Sequence, residues 1–172
     1  QASVNYANIL FKSESKSEAS KYYKMAADNG NSAAMNKIAL MLYNGDGITE
    51  NKEESFSNFK SAIEHGNDTA MFNYATILFK SKSSKDEAKK LFKMSADLGN
   101  TSSMNSYARI LYNSNEKEES LKYYKLAADN GNSSAMNSYA NILYNNGEKN
   151  QNESQDDDES SQNLNLTENS SK

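Results

Sequence analysis

The sequence contains no cysteine, proline or tryptophan, and only one of its 172 residues is a histidine. The absence of cysteine excludes disulfide bridges and thiolate metal sites. This composition favours a reducing compartment such as the cytoplasm, with the lumen of the endoplasmic reticulum as the alternative. No apolar run approaches the length needed to cross a bilayer, so no membrane insertion is expected of this segment.

Residues suited to catalysis are also scarce. His65 has no cysteine or second histidine to act with, so a role as a helix cap is predicted for it instead. The stretch Asn44-Gly45-Asp46-Gly47 lacks the further acidic ligands of a calcium loop and is interpreted as a tight turn. There is no phosphate-binding loop and no dinucleotide fingerprint. We therefore predict no catalytic residues, no cofactor and no metal site, and a protein that is not an enzyme.

The sequence does contain one motif four times. It reads GNSAAMN from Gly30, GNDTAMF from Gly66, GNTSSMN from Gly99 and GNSSAMN from Gly131, at spacings of 32 to 36 residues. A motif with this period indicates one small helical unit per copy, and such units stack to share a core. Because glycine readily takes the left-handed conformation that ends a helix, each glycine is predicted to separate two helices.

Two apolar stripes at helical spacing predict two helices per unit, named helix A and helix B. The helix A stripe follows each Gly-Asn and consists of Met35, Ile38, Ala39, Leu42, Tyr43, Met71, Tyr74, Ala75, Leu78, Phe79, Met104, Tyr107, Ala108, Leu111, Tyr112, Met136, Tyr139, Ala140, Leu143 and Tyr144, with Tyr6, Ala7, Leu10 and Phe11 in an opening copy. The helix B stripe precedes each glycine and consists of Ala19, Tyr22, Tyr23, Ala26, Ala27, Phe56, Phe59, Ala62, Ile63, Ala88, Leu91, Phe92, Ala96, Leu121, Tyr124, Ala127 and Ala128. Both stripes are predicted to form the core, and their alanines should let helix backbones come close.

The residues at the ends of these helices resemble the pattern of a known repeat family. Helix B ends in Tyr-x-x-Ala-Ala-x-x-Gly at Gly30 and Gly131, and a Gly-x-Gly turn follows helix A at Gly45 and Gly47. These columns resemble the Sel1-like repeat family, which is related to the tetratricopeptide repeats. Tetratricopeptide repeats place proline after the second helix, and this sequence has none. The resemblance implies an all-α fold, a right-handed α-α superhelix (solenoid) of antiparallel helix pairs with about four and a half repeats.

We predict a Sel1-like repeat array over residues 1–147 and a disordered acidic tail over residues 148–172. The expected units are 1–29, 30–65, 66–98, 99–130 and a last half unit at 131–147. The tail has little apolar content beyond Leu164 and Leu166, so it cannot bury enough surface to offset its ordering entropy. Its formal charge is 2 − 7 = −5 and that of the whole chain is −4, which leaves the array near +1. No binding of nucleic acid is therefore expected.

The resemblance implies a scaffold whose concave face holds a peptide or protein partner. We expect helix A to line that face, and its positions outside the apolar stripe form the predicted partner-binding surface, namely Asn5, Asn8, Lys37, Leu40, Asn73, Thr76, Ser106, Arg109, Ser138 and Asn141. Asparagine can bond both the N–H and the C=O of an extended peptide. Lys37 and Arg109 can bind carboxylates, and Leu40 can serve as an apolar anchor.

Two functions remain open at this point. The first is a non-catalytic scaffold or adaptor for protein interactions. The alternative is a regulatory or substrate-binding segment of a larger multidomain protein, such as a kinase or a component of endoplasmic-reticulum quality control. A lysine-rich stretch is interpreted as a solvated helix face, with contact to an acidic partner or to the tail as its alternative role; it comprises Lys80, Lys82, Lys85, Lys89, Lys90 and Lys93. The oligomeric state is not predicted.

Overall fold

The computed structural model describes residues 2–81 and 84–145, and within these ranges the regular structure is entirely helical. The predicted tail, 148–172, and Lys82 lie outside the described residues. The helices are α1 (Ala2–Lys12), α2 (Lys16–Asp28), α3 (Ser32–Asn44), α4 (Lys52–Glu64), α5 (Asp68–Ser81), α6 (Lys85–Asp97), α7 (Thr101–Asn113) and α8 (Lys117–Asp129), followed by α9 over residues 133–145. The odd-numbered helices are the predicted helices A and the even-numbered ones are the helices B. Each helix packs mainly on the helix before and after it, so the all-α repeat fold is confirmed.

The Gly-Asn motif builds the turn from each helix B to the next helix A. Gly30, Gly66, Gly99 and Gly131 all have φ between 72° and 97°, the left-handed region in which a Cβ is unfavourable. The asparagine that follows caps the next helix, because its side-chain oxygen accepts a hydrogen bond from the backbone N–H three residues on. These capping bonds measure 2.8 to 3.0 Å for Asn31, Asn67, Asn100 and Asn132.

Small side chains hold helix A and helix B of one unit together. The alanines of helix A, Ala7, Ala39, Ala75 and Ala108, are fully buried, and so is the small residue of helix B in each unit, Ala19, Ser55, Ala88 and Ser120. Where that residue is serine, its hydroxyl donates to the helix A backbone: Ser55 Oγ lies 2.7 Å from the carbonyl oxygen of Ala39. Ser120 Oγ lies 2.8 Å from that of Ala108. The predicted close approach of the two helix backbones is therefore confirmed.

The turn between α3 and α4 contains two glycines, Gly45 and Gly47, which are needed for different reasons. Gly45 ends α3 in the left-handed region, with φ 71°. A Cβ added to Gly47 would come within 2.5 Å of Lys16 Cβ, so only glycine lets this loop lie against the start of α2. Asp46 pairs with Lys16 at 2.9 Å. The prediction of a tight turn here is confirmed, and the turn also joins the first two units.

The prediction for the core was wrong at both ends of the described array. In α9, Ala135 and Ile142 are buried, but Ala140 is exposed and three further members of the expected stripe are 46 to 66% exposed, namely Met136, Leu143 and Tyr144. The reason is that no helix B packs over this side of α9 within the described residues. Tyr6, at the opposite end, is 45% exposed and packs edge-to-face with Tyr22.

One interior position of the stripe also departs from the prediction. Tyr112, the last stripe residue of α7, is 40% exposed. The equivalent residues Phe11, Tyr43 and Phe79 are half-buried. The fifth stripe position therefore lies at the edge of the core, where the helix surface turns toward solvent.

Candidate protein-binding face along helices A

The ten residues predicted to bind a partner lie at two equivalent positions of each helix A. Four of them are exposed, Asn5, Lys37, Arg109 and Asn141, and the other six are half-buried. We call the surface formed by these ten residues the helix-A face. The repeat thus places one pair of these residues in each unit, at equivalent positions of the helices A.

Successive helices A are joined through short polar side chains. Asn73 Nδ2 donates to Oδ1 of the buried Asn36 at 3.0 Å, which links α5 to α3. The capping asparagines act in the same way, because the amide that caps one helix A also donates to the start of the helix A before it. These bonds join Asn67 to Ser32 Oγ (3.2 Å), Asn100 to Asp68 Oδ2 (2.8 Å) and Asn132 to the Thr101 carbonyl oxygen (3.2 Å).

Successive helices B are joined through long side chains instead. Lys24 of α2 reaches Glu54 of α4 at 3.5 Å, and Lys89 of α6 reaches Glu116, directly before α8, at 2.8 Å. The hydroxyl of Tyr123 donates to Asp97 at 3.2 Å. The side chains that link successive helices A are thus shorter than the lysine and tyrosine side chains that link successive helices B.

Three of the ten predicted residues already have a hydrogen-bond partner within the chain. Asn8 accepts a 2.7 Å hydrogen bond from the Tyr23 hydroxyl, and Asn73 bonds Asn36 as described above. The Thr76 hydroxyl donates to the carbonyl oxygen of Phe72 at 2.8 Å. These side chains help to fix the array, which leaves fewer of them free to bond a peptide.

Arg109 and Ser138 come together around one buried tyrosine. Tyr124 of α8 lies beside the Ser138 hydroxyl of α9 and near the charge of Arg109 on α7. Burial raises the pKa of Tyr124, while the Ser138 hydroxyl and the Arg109 charge offset part of that increase. The phenol therefore stays neutral at physiological pH. Lys37 lies apart from this cluster, on α3.

Acids are distributed unequally between the two kinds of helix, although the helices B also carry twelve lysines and are therefore nearly neutral. The helices A carry the cations Lys12, Lys37, Lys80 and Arg109 but a single acid, Asp68, which accepts the bond from Asn100. The helices B carry eleven acids: Glu18, Asp28, Glu53, Glu54, Glu64, Asp86, Glu87, Asp97, Glu118, Glu119 and Asp129. All six ion pairs in the described part of the chain lie on helices B or their loops.

Within the described residues, the cations of the helix-A face have no ion-pair partner. Among the described residues, neither Lys37 nor Arg109 is within 4 Å of a carboxylate. Lys37 and Arg109 were both predicted from the sequence, but the near-absence of acids on the helices A was not. Counting acids separately in the helix A and helix B segments would have revealed it.

The other residues singled out in the sequence have structural roles. His65 is the C-cap of α4, and its Nδ1 lies 2.8 Å from the carbonyl oxygen of Ser61, as predicted for a helix cap. In the lysine-rich stretch, Lys89 pairs with Glu116 and Lys93 with Asp97 at 2.8 and 2.9 Å. Residues 2–81 and 84–145 contain no cluster of three or more acidic, histidine or cysteine side chains able to hold a metal ion.

None of the helices in the described ranges is both long enough and apolar enough to span a bilayer.

Comparison with known proteins agrees with this architecture. The family model described as Sel1 repeat matches residues 11–31, 32–67, 69–100 and 104–132. A protective antigen of uropathogenic Escherichia coli with an SLR fold superposes with a TM-score of 0.69 at 23% identity, covering 83% of this chain and 34% of that one. A Sel1 repeat protein from Oxalobacter formigenes gives 0.65 at 22%, covering 72% and 53%.

A third solved structure, an immunity protein from Pseudomonas aeruginosa, superposes with a TM-score of 0.54 at 16% identity and covers 72% of this chain and 53% of its own. The chain thus spans only about a third to a half of the length of these structures. At such low identity these likenesses establish the fold alone. A comparison with curated protein sequences gave no match.

Proposed function

Because the chain belongs to the Sel1 repeat family, we propose that it is a non-catalytic interaction scaffold whose helix-A face binds an extended, acidic segment of a partner protein. Sel1 repeat proteins are generally helical scaffolds for protein interactions. The observation that carries the proposal is the scarcity of acids on the helices A, which carry one acid against eleven on the helices B. The helix-A face has two cations, Lys37 and Arg109, and no acid, so it attracts carboxylates and repels basic segments.

The way in which the units are joined supports a concave helix-A face. Helices A are linked by asparagine side chains, whereas helices B are linked by lysine and tyrosine side chains. A stack whose units approach more closely on one side curves toward that side, so the helices A should line the inside of the curve. An inner surface can contact a ligand from several units at once.

We assign a different contact with the partner to each kind of residue on the helix-A face. Lys37 and Arg109 bind carboxylates of the partner, and the guanidinium of Arg109 can do so with two parallel hydrogen bonds. Asn5 and Asn141, which are exposed, bond the peptide backbone. The half-buried Leu40 contacts an apolar side chain. Within a larger protein the same face would serve as a regulatory or substrate-binding segment, a setting consistent with the partial coverage of the matched structures.

The test is selection from a displayed library of random peptides on the whole chain at low salt. We expect the selected peptides to be enriched in aspartate and glutamate, and their affinity to fall as salt is raised. The double variant Lys37→Glu/Arg109→Glu should weaken binding of a selected peptide by at least about tenfold.

The matched control is the double variant Lys60→Glu/Lys122→Glu, which changes the net charge equally but on exposed positions of α4 and α8. It should weaken binding less than about twofold, since it lies away from the helix-A face. Selected peptides without acidic enrichment, or an equal loss in the control, would refute the proposal. Circular dichroism should show all variants to be folded.

A further inference from the structure

Three of the four Gly-Asn turns carry the acceptor sequence for N-linked glycosylation. Asn67, Asn100 and Asn132 are each followed two positions later by threonine or serine, in the sequons Asn-Asp-Thr, Asn-Thr-Ser and Asn-Ser-Ser. A sequon that is used marks an exposed loop of a secreted or lumenal protein. We infer that these three asparagines are structural and cannot carry a glycan, so that the array assembles only in a compartment without N-linked glycosylation.

Both polar atoms of each of these side chains are already bonded inside the array. The Oδ1 atom accepts the capping bond from the backbone N–H of its own helix A, at 2.8 Å for Asn67, 2.9 Å for Asn100 and 3.0 Å for Asn132. The Nδ2 atom, to which a sugar would be attached, donates to the preceding helix A at 3.2, 2.8 and 3.2 Å in the same order. All three residues are half-buried. The amide nitrogen is therefore held against a second helix.

A glycan on Nδ2 is incompatible with this arrangement for two reasons. Its first sugar ring needs space that the preceding helix A already occupies, because the nearest atom of that helix lies 2.8 to 3.2 Å from Nδ2. In addition, a substituted amide stays trans, which places the sugar on the same side as Oδ1 and next to the capped N–H. Each modified turn would thus weaken both the start of a helix and the contact between two units.

A chain that entered the secretory pathway would be modified before these bonds could form. Oligosaccharyltransferase acts on sequons while the chain is still crossing into the lumen, and it requires an extended, accessible asparagine. The capping and linking bonds would therefore be lost at the stage when the helices A first stack on one another. Of the two compartments considered from the absence of cysteine, the cytoplasm meets the requirement for unmodified asparagines and the lumen of the endoplasmic reticulum does not.

The test directs the whole chain into the lumen. The chain is fused to a cleavable signal peptide and translated with and without microsomes, and an endoglycosidase identifies the species that carry glycans. Three further sequons, which lie outside the described residues, are first removed by Ser154→Ala, Thr167→Ala and Ser171→Ala. After release with detergent, species with glycans at Asn67, Asn100 or Asn132 should be digested by trypsin at least about tenfold faster than the chain made without microsomes, because their helices open more often.

Two controls separate the position of a glycan from its presence. Thr69→Ala/Ser102→Ala/Ser134→Ala removes the three sequons but keeps the asparagines, so the chain from microsomes should resist trypsin like the chain made without them. Lys117→Thr, added to this variant, creates a sequon at Asn115 in the exposed loop before α8. The glycosylated form of this variant should resist trypsin equally, within about twofold.

Three results would overturn the inference. The first is trypsin resistance of a species glycosylated at Asn67, Asn100 or Asn132, and the second is a chain that folds in the lumen with these sequons unmodified. The third is equal sensitivity of the species glycosylated at Asn115, since the position of the glycan would then not matter. Neither Lys37 nor Arg109 takes part in any of these results, so the proposed function is tested separately.

Discussion

Helix A and helix B of the same unit use side chains of different length to reach the next unit. Between helices A the links are asparagine amides, as between Asn73 and Asn36 at 3.0 Å. Between helices B they are lysine–carboxylate pairs, as between Lys89 and Glu116 at 2.8 Å. Short, partly buried links fix the distance between two backbones, whereas long exposed links tolerate variation. The stack should therefore owe its cohesion to alanine, serine and asparagine and much less to its more numerous charges.

We expect the largest effect on stability from a substitution where helix A and helix B of one unit pack closely together. Ala108→Leu forces a larger side chain between α7 and α8 and displaces Ser120 from the Ala108 carbonyl. We expect a loss of about 2 to 3 kcal/mol in the free energy of unfolding. The measurement is urea unfolding followed by circular dichroism, analysed with a repeat model because arrays need not unfold in two states.

Ala140→Leu is the matched control, since it makes the same substitution at the same position of a helix A that lacks a helix B in the described part of the chain. It should change stability by less than about 0.5 kcal/mol. If it destabilises as much as Ala108→Leu, the exposed side of α9 is covered in solution.

The second largest effect on stability is expected at the asparagine side chains that link successive helices A. Asn100→Ala removes both the cap of α7 and the hydrogen bond to Asp68, and should cost about 1.5 to 2 kcal/mol. Asn31→Ala removes the cap of α3, where the described residues offer no second bond from the amide, and should cost about 1 kcal/mol. The difference between the two variants, measured by the same urea unfolding, estimates the link between units. Equal losses would show that the asparagine acts only as a cap.

Much of this architecture was predictable from the sequence, because the signals were local. The glycines at 30, 66, 99 and 131 end helices wherever they occur, and the apolar stripes follow the period of the helix itself. The alternation of alanine and serine at positions 19, 55, 88 and 120 was also visible in the sequence. Its meaning was missed, because the hydroxyl bond to a neighbouring helix backbone depends on how closely the two helices approach.

The burial and hydrogen bonding of single side chains could not be predicted where they depend on how the helices pack. The α9 stripe matches the other four, yet its burial is set by whether a helix B follows. Asn8 and Thr76 also looked like candidate peptide contacts, but Asn8 accepts a bond from Tyr23 of the paired helix and Thr76 donates to the backbone of its own helix. The second use of each capping asparagine likewise depends on where the preceding helix A begins.

The smallest effect concerns the helix B side, where Lys89→Gln removes the ion pair with Glu116. Both side chains are partly exposed, so we expect a loss of at most about 0.5 kcal/mol, which about 1 M salt should abolish. The hydrogen bond to Glu116 raises the pKa of Lys89. The contribution of the pair is therefore present below the unfolded-state lysine pKa, about 10.4, and is lost as pH rises through the folded-state value. Urea unfolding of both proteins at low and high salt measures this. A loss as large as that of Asn100→Ala would mean that long charged links hold the units together as firmly as short amides, and the distinction between the two sides would fail.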